Sequence, residues 1–233
     1  MINVPIHKIL FLDVETAGVE ANWNNLVENR KELSFQFDNY LDWFKKRFPE
    51  DRDLLVDDMF YSRSALIPEF ARVVCASFAF LTEGGEVKMQ SFNDKDEKVL
   101  LENVQKLLYR VNELGFFLCG HNVKGFDIPM LAKRMIINGI KPPKLLPGHD
   151  VKPWEIKAID TKEVWQYGSF GTIASLELMC ASLGVESSKT MEVVGTKVHE
   201  AFWEKEDYDG IKEYCEKDVE VLIKVIQKLT ELK

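Results

Sequence analysis

Two short apolar segments constrain the fold of this chain more than any other feature of its sequence. Lys8 to Leu12 and Phe116 to Cys119 are compact apolar runs, and runs of this kind are typical of strands buried inside a sheet. Because both faces of a buried strand must be covered, we expect helices on both faces of the sheet.

A β-hairpin and one more short strand complete the predicted sheet. The hairpin pairs Arg72–Leu81 with Glu86–Phe92 around a glycine-containing turn, and Ala158–Asp160 forms the last strand. Helical spacing and end signals predict helices from Asn93 or Asp94 to about Leu114, over Asp127–Ile137, over roughly Thr172–Leu183 and over Gly210–Leu232. The order β-β-β-α-β-α-β-α-α predicts an α/β fold, a mixed sheet flanked by helices, in a single domain over residues 1–233.

The stretch from about residue 17 to 68 is longer than this simple domain requires, and we interpret it as an insertion. It contains an amphipathic segment in which Phe37, Tyr40, Leu41, Phe44 and Phe48 follow helical spacing, and Pro49 ends it. Its charge is −4 between Glu20 and Asp58, from ten acidic and six basic residues. The sequence leaves open whether this insertion is a lid, a docking element for a partner or a lineage-specific addition.

Composition and charge narrow the class of protein. The four cysteines stand singly among apolar neighbours, which indicates reduced thiols and a cytoplasmic protein. The sequence contains no apolar run of membrane-spanning length and no signal-peptide pattern, so we expect no membrane partner. The net charge of −8 argues against a protein that coats nucleic acid, but not against an enzyme that acts on a strand end.

Acidic residues follow two of the predicted strands. Asp13 and Glu15 lie two positions apart at the end of the first strand, so their side chains share one face. A pair of this kind is common and is weak evidence by itself. Asp127 opens a predicted helix, where an aspartate is often only a cap, but it follows His121, Asn122, Gly125 and Phe126, a richer pattern than a cap requires.

Asp218 is the most informative acid. It falls within the apolar stripe of the last helix, which consists of Ile211, Cys215, Leu222, Ile226 and Leu229. A carboxylate at such a position needs a partner or a cation, because an unpaired buried charge is costly. Tyr214 lies four residues earlier on the same helical face, so a buried Tyr–Asp hydrogen bond is an alternative explanation.

Four carboxylates in one pocket would explain all these positions together. At ~4 Å and an effective dielectric of about 20, each like-charge pair costs about 4 kcal/mol, so such a pocket requires cations. Oxygen ligands suit Mg²⁺ or Mn²⁺, and two such ions can clamp a phosphodiester during hydrolysis. The four histidines are not spaced as zinc ligands. Tyr214, with an unperturbed pKa of about 10, would orient the attacking water rather than act as a base.

At these residues the sequence resembles the DEDD 3′–5′ exonuclease superfamily, whose members have an RNase H-like fold. Phe11-Leu12-Asp13-Val14-Glu15-Thr16 resembles its first motif, the segment from His121 to Leu131 its second, and Tyr214-x-x-x-Asp218 its third. The tyrosine indicates the DEDDy subfamily, because the histidine of the other subfamily is replaced by Glu213. Segments 65–77 and 158–161 further resemble stand-alone exonucleases related to the proofreading domain of family-B DNA polymerases.

The resemblance implies specific roles for residues of this chain. Asp13, Glu15, Asp127 and Asp218 would bind two divalent cations, Mg²⁺ or Mn²⁺, with Tyr214 completing the catalytic set. Contacts to the terminal nucleotides would come from Val14, Thr16, Asn122 and Phe126. Stacking of a base on Phe126 would contribute roughly 1–3 kcal/mol.

The sequence thus predicts a metal-dependent 3′–5′ exonuclease that releases nucleoside 5′-monophosphates from single-stranded ends, with DNA preferred. A polymerase or repair protein is a possible partner. Two alternatives remain open, namely an exoribonuclease with the same chemistry and a catalytically silent nucleic-acid-binding or polymerase-accessory module on the same fold. Retention of all four acids and Tyr214 argues against the silent module.

Overall fold

The computed structural model describes residues 2–148, 151–152, 155–169, 174–187 and 195–231. Within these ranges a five-stranded sheet has the order β3-β2-β1-β4-β5. Its strands are β1 (Ile9–Gly18), β2 (Ala71–Leu81), β3 (Val87–Phe92), β4 (Phe117–Gly120) and β5 (Ala158–Asp160). β2 is antiparallel to both β1 and β3, whereas β1, β4 and β5 run parallel. The sheet is therefore mixed, as predicted.

Helices occupy the segments between and after the strands. In the described ranges they are α1 (Trp23–Asn29), α2 (Lys31–Asn39), α3 (Leu41–Arg47), α4 (Val56–Arg63), α5 (Glu97–Glu113), α6 (Asp127–Ile137), α7 (Thr161–Gln166), α8 (Leu176–Leu183), α9 (Val198–Trp203) and α10 (Tyr208–Glu231). None of them combines the length and apolar character that crossing a membrane requires.

The side chains of β1 alternate between the two faces of the sheet, and each face packs against a different group of helices. Leu10, Leu12 and Val14 pack with α5 and α6 on one face, while Ile9 and Phe11 pack with α10 on the other. All five side chains are buried, which confirms the prediction that helices cover both faces. Asp13 and Glu15 share the phase of Ile9 and Phe11, so they face α10.

A buried ion pair fixes α6 against its neighbours. Arg134 of α6 binds Glu97 of α5 through two hydrogen bonds of 2.8 and 2.6 Å. Glu97 also accepts the Val73 N–H of β2 at 2.8 Å, and Arg134 donates to the Pro68 carbonyl at 3.0 Å. Because both charges are buried and paired, this network sets the position of the helix that begins at Asp127.

Several predicted boundaries were wrong. β1 continues to Gly18, so Asp13 and Glu15 lie within the strand and not at its end, because β2 pairs with it as far as Gly18. The N-cap of α5 is Asp96, whose side chain accepts the Lys98 N–H, and not Asn93 or Asp94. The helix predicted from Thr172 begins at Leu176 after a Ser175 cap, and Thr172 lies outside the described residues. The short helices α1, α4, α7 and α9 were not predicted.

The segment between β1 and β2 forms α1 to α4 around its own aromatic core. Phe37, Phe44, Phe60 and Phe70 are buried together there, with the Phe37 and Phe44 rings stacked at 4.7 Å. The amphipathic segment over 37–48 was predicted as continuous, but it breaks at Tyr40, which caps α3 and is 53% exposed. Tyr40 therefore does not belong to the buried stripe assigned to it.

Candidate active site

β1 carries two carboxylates into the space beneath α10. One oxygen each of Asp13 and Glu15 and the Cys215 sulfur lie within 4.8 Å of one another. The Cys215 thiol contacts the Asp13 carbonyl oxygen at 3.4 Å and Asp13 Oδ2 at 3.6 Å. The register between β1 and β2 shifts after Glu15, which pairs with Cys75, whereas Thr16 pairs with Val73. This bulge locally bends the strand next to the acids.

α10 supplies the third carboxylate and the tyrosine. Asp218 is 8% exposed and Tyr214 is 7% exposed, and the Tyr214 hydroxyl donates a hydrogen bond to Asp218. The negative charge of Asp218 reaches both Asp13 and Glu15 and raises the pKa of each. The structure thus places the acid from the apolar stripe of the last helix beside the acids of β1.

Asp127 joins the group from the first turn of α6. It is 4% exposed, and its carboxylate accepts a hydrogen bond from the Val14 N–H of β1. The charge of Asp13 raises the pKa of Asp127 after the larger effect of burial. The other three predicted carboxylates therefore each interact electrostatically with Asp13. We call Asp13, Glu15, Asp127 and Asp218 the carboxylate cluster.

The carboxylate cluster holds more negative charge than its surroundings neutralise. Burial, followed by the charge of Asp218, raises the pKa of Asp13 to about 7. Burial and neighbouring acids also raise the pKa values of Glu15 and Asp127 well above the usual range, and burial raises the pKa of Tyr214. Bound divalent cations would reverse these shifts, and hard oxygen donors are the ligands that Mg²⁺ and Mn²⁺ prefer. The donor set fits such cations.

A cavity of about 460 Å³ opens beside Glu15. Val14, Thr16 and Phe126 line it on one side, and the end of α4 with residues 65 and 66 forms another wall. Gly195 also lines it, and a Cβ atom built on Gly195 would lie 3.7 Å from the Tyr214 hydroxyl oxygen. The Tyr214 hydroxyl therefore lies close to the wall of the cavity.

The predicted nucleotide-contacting residues do not all lie at this cavity. Val14, Thr16 and Phe126 line it, although the Thr16 hydroxyl already donates to the Ala65 carbonyl at 2.8 Å. Asn122 is not among the described residues that line it, and its Oδ1 instead accepts from Lys162 Nζ at 3.1 Å. The structure thus brings three of the four together and places Asn122 in the loop behind them.

Asp160 is a structural residue of the site that sequence reasoning did not identify. It is 4% exposed, and its carboxylate accepts the backbone N–H groups of Asn122, Lys124 and Lys162 at 2.9, 3.1 and 3.0 Å. Asn122 has a positive φ of 61°, a conformation that needs such support. Asp160 thereby fixes the loop that leads to Phe126 and Asp127. Its position as the last residue of a short predicted strand was the available signal.

The sequence also did not predict a role for His199 and Trp203 of α9. His199 Nδ1 accepts the Gly18 N–H at 2.9 Å, and Trp203 Nε1 donates to the Gly18 carbonyl at 2.9 Å. Burial lowers the pKa of His199, which favours the neutral ring that this accepting nitrogen requires. Both side chains hold the end of β1 in place, and nothing in the local sequence of α9 indicates this role.

Comparisons with known proteins identify a matching family and a structurally similar protein. A sequence model of the family described as "Predicted 3′-5′ exonuclease related to the exonuclease domain of PolB" matches residues 64–222. The structure is similar to that of the family B DNA polymerase from the hyperthermophilic archaeon Pyrobaculum calidifontis, with a TM-score of 0.58 and 14% sequence identity over 97% of this chain. This chain spans 25% of that polymerase chain. No curated protein matches it. At this identity the likeness shows the fold alone, and it confirms the predicted α/β fold.

Proposed function

This chain belongs to the family of predicted 3′–5′ exonucleases related to the exonuclease domain of PolB, and from that premise we propose that it removes nucleoside 5′-monophosphates from the 3′-ends of single-stranded DNA. The observation that carries the proposal is the carboxylate cluster. Asp13 and Glu15 of β1, Asp127 of α6 and Asp218 of α10 influence one another electrostatically. A protein that only binds nucleic acid has no use for such mutual repulsion.

Asp13, Glu15, Asp127 and Asp218 would hold two divalent cations, Mg²⁺ or Mn²⁺. Bound there, the cations would lower the pKa of the attacking water and stabilise the departing 3′-oxygen. Burial first, and then the neighbouring acids, raise the pKa values of Asp13, Glu15 and Asp127. These shifts support the assignment, because a bound cation favours the charged form of each carboxylate. The neutral Cys215 thiol, whose pKa is raised by burial, contributes a weak hydrogen-bond donor to Asp13 and no charge.

Tyr214 would position the nucleophilic water. Its hydroxyl lies close to the cavity wall at Gly195 and donates to Asp218. Because burial raises its pKa further, the hydroxyl remains protonated at neutral pH and does not act as a base. Because its proton is donated to Asp218, its oxygen can accept a hydrogen bond from a water molecule held beside Asp218, and orientation of this kind accelerates attack.

The cavity beside Glu15 would receive the terminal nucleotide. Phe126 offers a ring for base stacking, which tolerates any base, and Val14 and Thr16 lie on the same wall. Asn122 would act indirectly, through the loop that Asp160 holds. Its side chain is engaged by Lys162, so we assign it to the loop rather than to direct base contact.

We also propose that the protein prefers DNA to RNA and that it acts in the cytoplasm. DNA is favoured because a structurally similar protein is a DNA polymerase, and a polymerase or repair protein would be the natural partner. The four cysteines are free and buried, which supports a cytoplasmic protein. We further propose that residues 1–233 form one domain, with residues from about 17 to 68 as an insertion.

Hydrolysis of end-labelled strands tests this function. DNA and RNA of one sequence, each labelled at the 5′-end, are incubated with the protein and Mn²⁺, Mg²⁺ or EDTA, beside a circular single-stranded DNA. We expect a ladder of 5′-labelled products from linear DNA, no activity in EDTA, and a resistant circle. Asp218→Ala serves as the inactive control. Rapid cutting of the circle, or activity that survives chelation, would contradict the proposal.

A further inference from the structure

The exposed face of α3 carries aromatic and basic side chains at helical spacing. Tyr40, Trp43 and Arg47 lie three and four residues apart, so they share one face, with Lys46 beside Arg47. Tyr40 is 53% exposed and Trp43 is 47% exposed. The opposite face is anchored, because Phe44 is 1% exposed and stacks on Phe37. A short helix thus presents two large rings to solvent from a fixed position.

A groove lies next to these rings. Tyr40 and Trp43 line it together with Phe44, Phe70 and Ile67, and its volume is about 360 Å³. The Trp43 ring makes an edge contact with Phe44 at 5.3 Å, which fixes the indole against the buried cluster. The groove is a preformed apolar surface of the size that flat rings can occupy.

The charges beside the groove indicate an anionic ligand. Lys45, Lys46 and Arg47 form the only run of three consecutive basic residues in the sequence, although the surrounding segment is acidic. In the part of the chain that the structure describes, none of the three forms an ion pair. Glu69, the acid that lines the groove, is paired with Lys133, and Glu50 and Asp51 are paired with Arg63. Asp42, in the first turn of α3, and Glu50 each lie three residues from this basic run.

The groove adjoins the candidate active site. Ala65 and Leu66 line the cavity beside Glu15, and the next residue, Ile67, lines the groove. One short segment therefore separates the two spaces. A strand whose 3′-nucleotide occupied the cavity would have to cross this segment to reach α3.

We propose that Tyr40, Trp43, Lys45, Lys46 and Arg47, here called the α3 surface, bind the part of a single-stranded nucleic acid that lies 5′ to the terminal nucleotides. Bases would stack on the Tyr40 and Trp43 rings, and the three cations would contact phosphates. The inference rests on the proposed exonuclease function for the direction of the strand. It assigns the insertion a role in holding substrate, and a protein partner at this surface is the competing outcome.

Binding of strands of two lengths tests the α3 surface. Labelled oligothymidylates of about 4 and about 16 nucleotides span the site sizes usual for single-strand binding, and their affinities are measured by fluorescence anisotropy in Ca²⁺. For Trp43→Ala, we expect the ratio of the long-strand to the short-strand affinity to fall by about 5- to 150-fold. Trp43→Phe keeps a ring and should restore most of that ratio. Tyr109→Ala, an equally exposed aromatic on α5, is the matched control and should leave the ratio unchanged.

Salt dependence tests the basic residues separately. Replacement of Lys45, Lys46 and Arg47 by glutamine should reduce the slope of log affinity against log salt by about 2 for the long strand. Lys224→Gln, an exposed lysine of α10, is the control and should not change the slope.

The outcomes separate this inference from the proposed function. If the wild type degrades DNA from the 3′-end while Trp43→Ala binds both strands as the wild type does, the α3 surface is not a strand-binding site and the exonuclease proposal stands. If the wild type hydrolyses nothing but the length-dependent affinity still requires Trp43, the surface is supported and the exonuclease proposal fails.

Discussion

Replacing Asp13 by asparagine should stabilise the metal-free protein at neutral pH while it destroys metal binding. Burial of Asp13, together with the negative charge of Asp218, raises its pKa to about 7. In the unfolded chain an aspartate has a pKa of about 3.9. The folded protein therefore binds more protons than the unfolded chain between these two pKa values, so its stability falls as pH rises through that window.

The magnitude follows from the width of the window. Each pH unit within it costs about 1.4 kcal/mol, so a rise from about pH 5 to about pH 7 removes about 3 kcal/mol through Asp13 alone. Asparagine carries no charge at any pH and avoids this loss. For a domain of this size 1 kcal/mol corresponds to roughly 2–4 °C in Tm, so the Tm difference between variant and wild type should grow by about 6–12 °C over that range.

Thermal unfolding in EDTA across this pH range measures the effect. The Tm of Asp13→Asn should equal that of the wild type at the acidic end of the range and exceed it at the neutral end. The control Asp38→Asn, at an exposed position, should have the Tm of the wild type throughout. With Mn²⁺ added, the order should reverse, because only the wild type gains stability from the cation. Parallel pH profiles for Asp13→Asn and the wild type would refute the reasoning, because the carboxylate cluster would then not be under electrostatic stress.

Three further predictions concern other residues. Tyr214→Phe removes only the hydroxyl and should lower kcat by ~10- to 1000-fold while the affinity for Mn²⁺ is kept. Asp218→Ala should lose both turnover and Mn²⁺ binding. An unchanged kcat in Tyr214→Phe would show that the Tyr214 hydroxyl has only a structural role. Asp160→Asn leaves backbone N–H groups poorly paired and should lower the free energy of unfolding in urea by about 1–3 kcal/mol; an unchanged value would show that the loop does not depend on it. Gly18→Ala places a Cβ 2.6 Å from Ser64 Oγ and 2.8 Å from His199 Cε1. It should therefore lower the free energy of unfolding in urea by about 1–3 kcal/mol. An unchanged free energy of unfolding would show that both neighbouring side chains move aside.

The sheet was predictable where the chain is apolar, and its strand β1 was assigned too short where acids interrupt the apolar run. Leu10 and Phe11 are buried as their pattern predicts. β1 was nevertheless assigned too short, because Asp13 and Glu15 break the apolar run although β2 pairs with them across the sheet. Pairing with a strand some sixty residues away is a tertiary effect that local pattern does not reveal.

The sequence alone indicated the carboxylates of the candidate site, but not the residues that support them. Asp218 stood out because an acid replaced an apolar residue in a helical stripe. Asp160 and His199 act on the backbone of distant segments, across 38 residues to Asn122 and 181 residues to Gly18. Such contacts arise from the assembled fold alone. The wall at Ala65 likewise depends on how the helices after β1 return to the sheet.

A crystal of the protein soaked with Mn²⁺ tests the central claim most directly. The anomalous scattering of manganese locates the ions without reference to activity. We predict two peaks about 3.5–4 Å apart, bounded by Asp13, Glu15, Asp127 and Asp218, and the loss of both in Asp218→Ala. Absence of manganese from the carboxylate cluster at saturating concentration, with all four side chains ordered, would contradict the account.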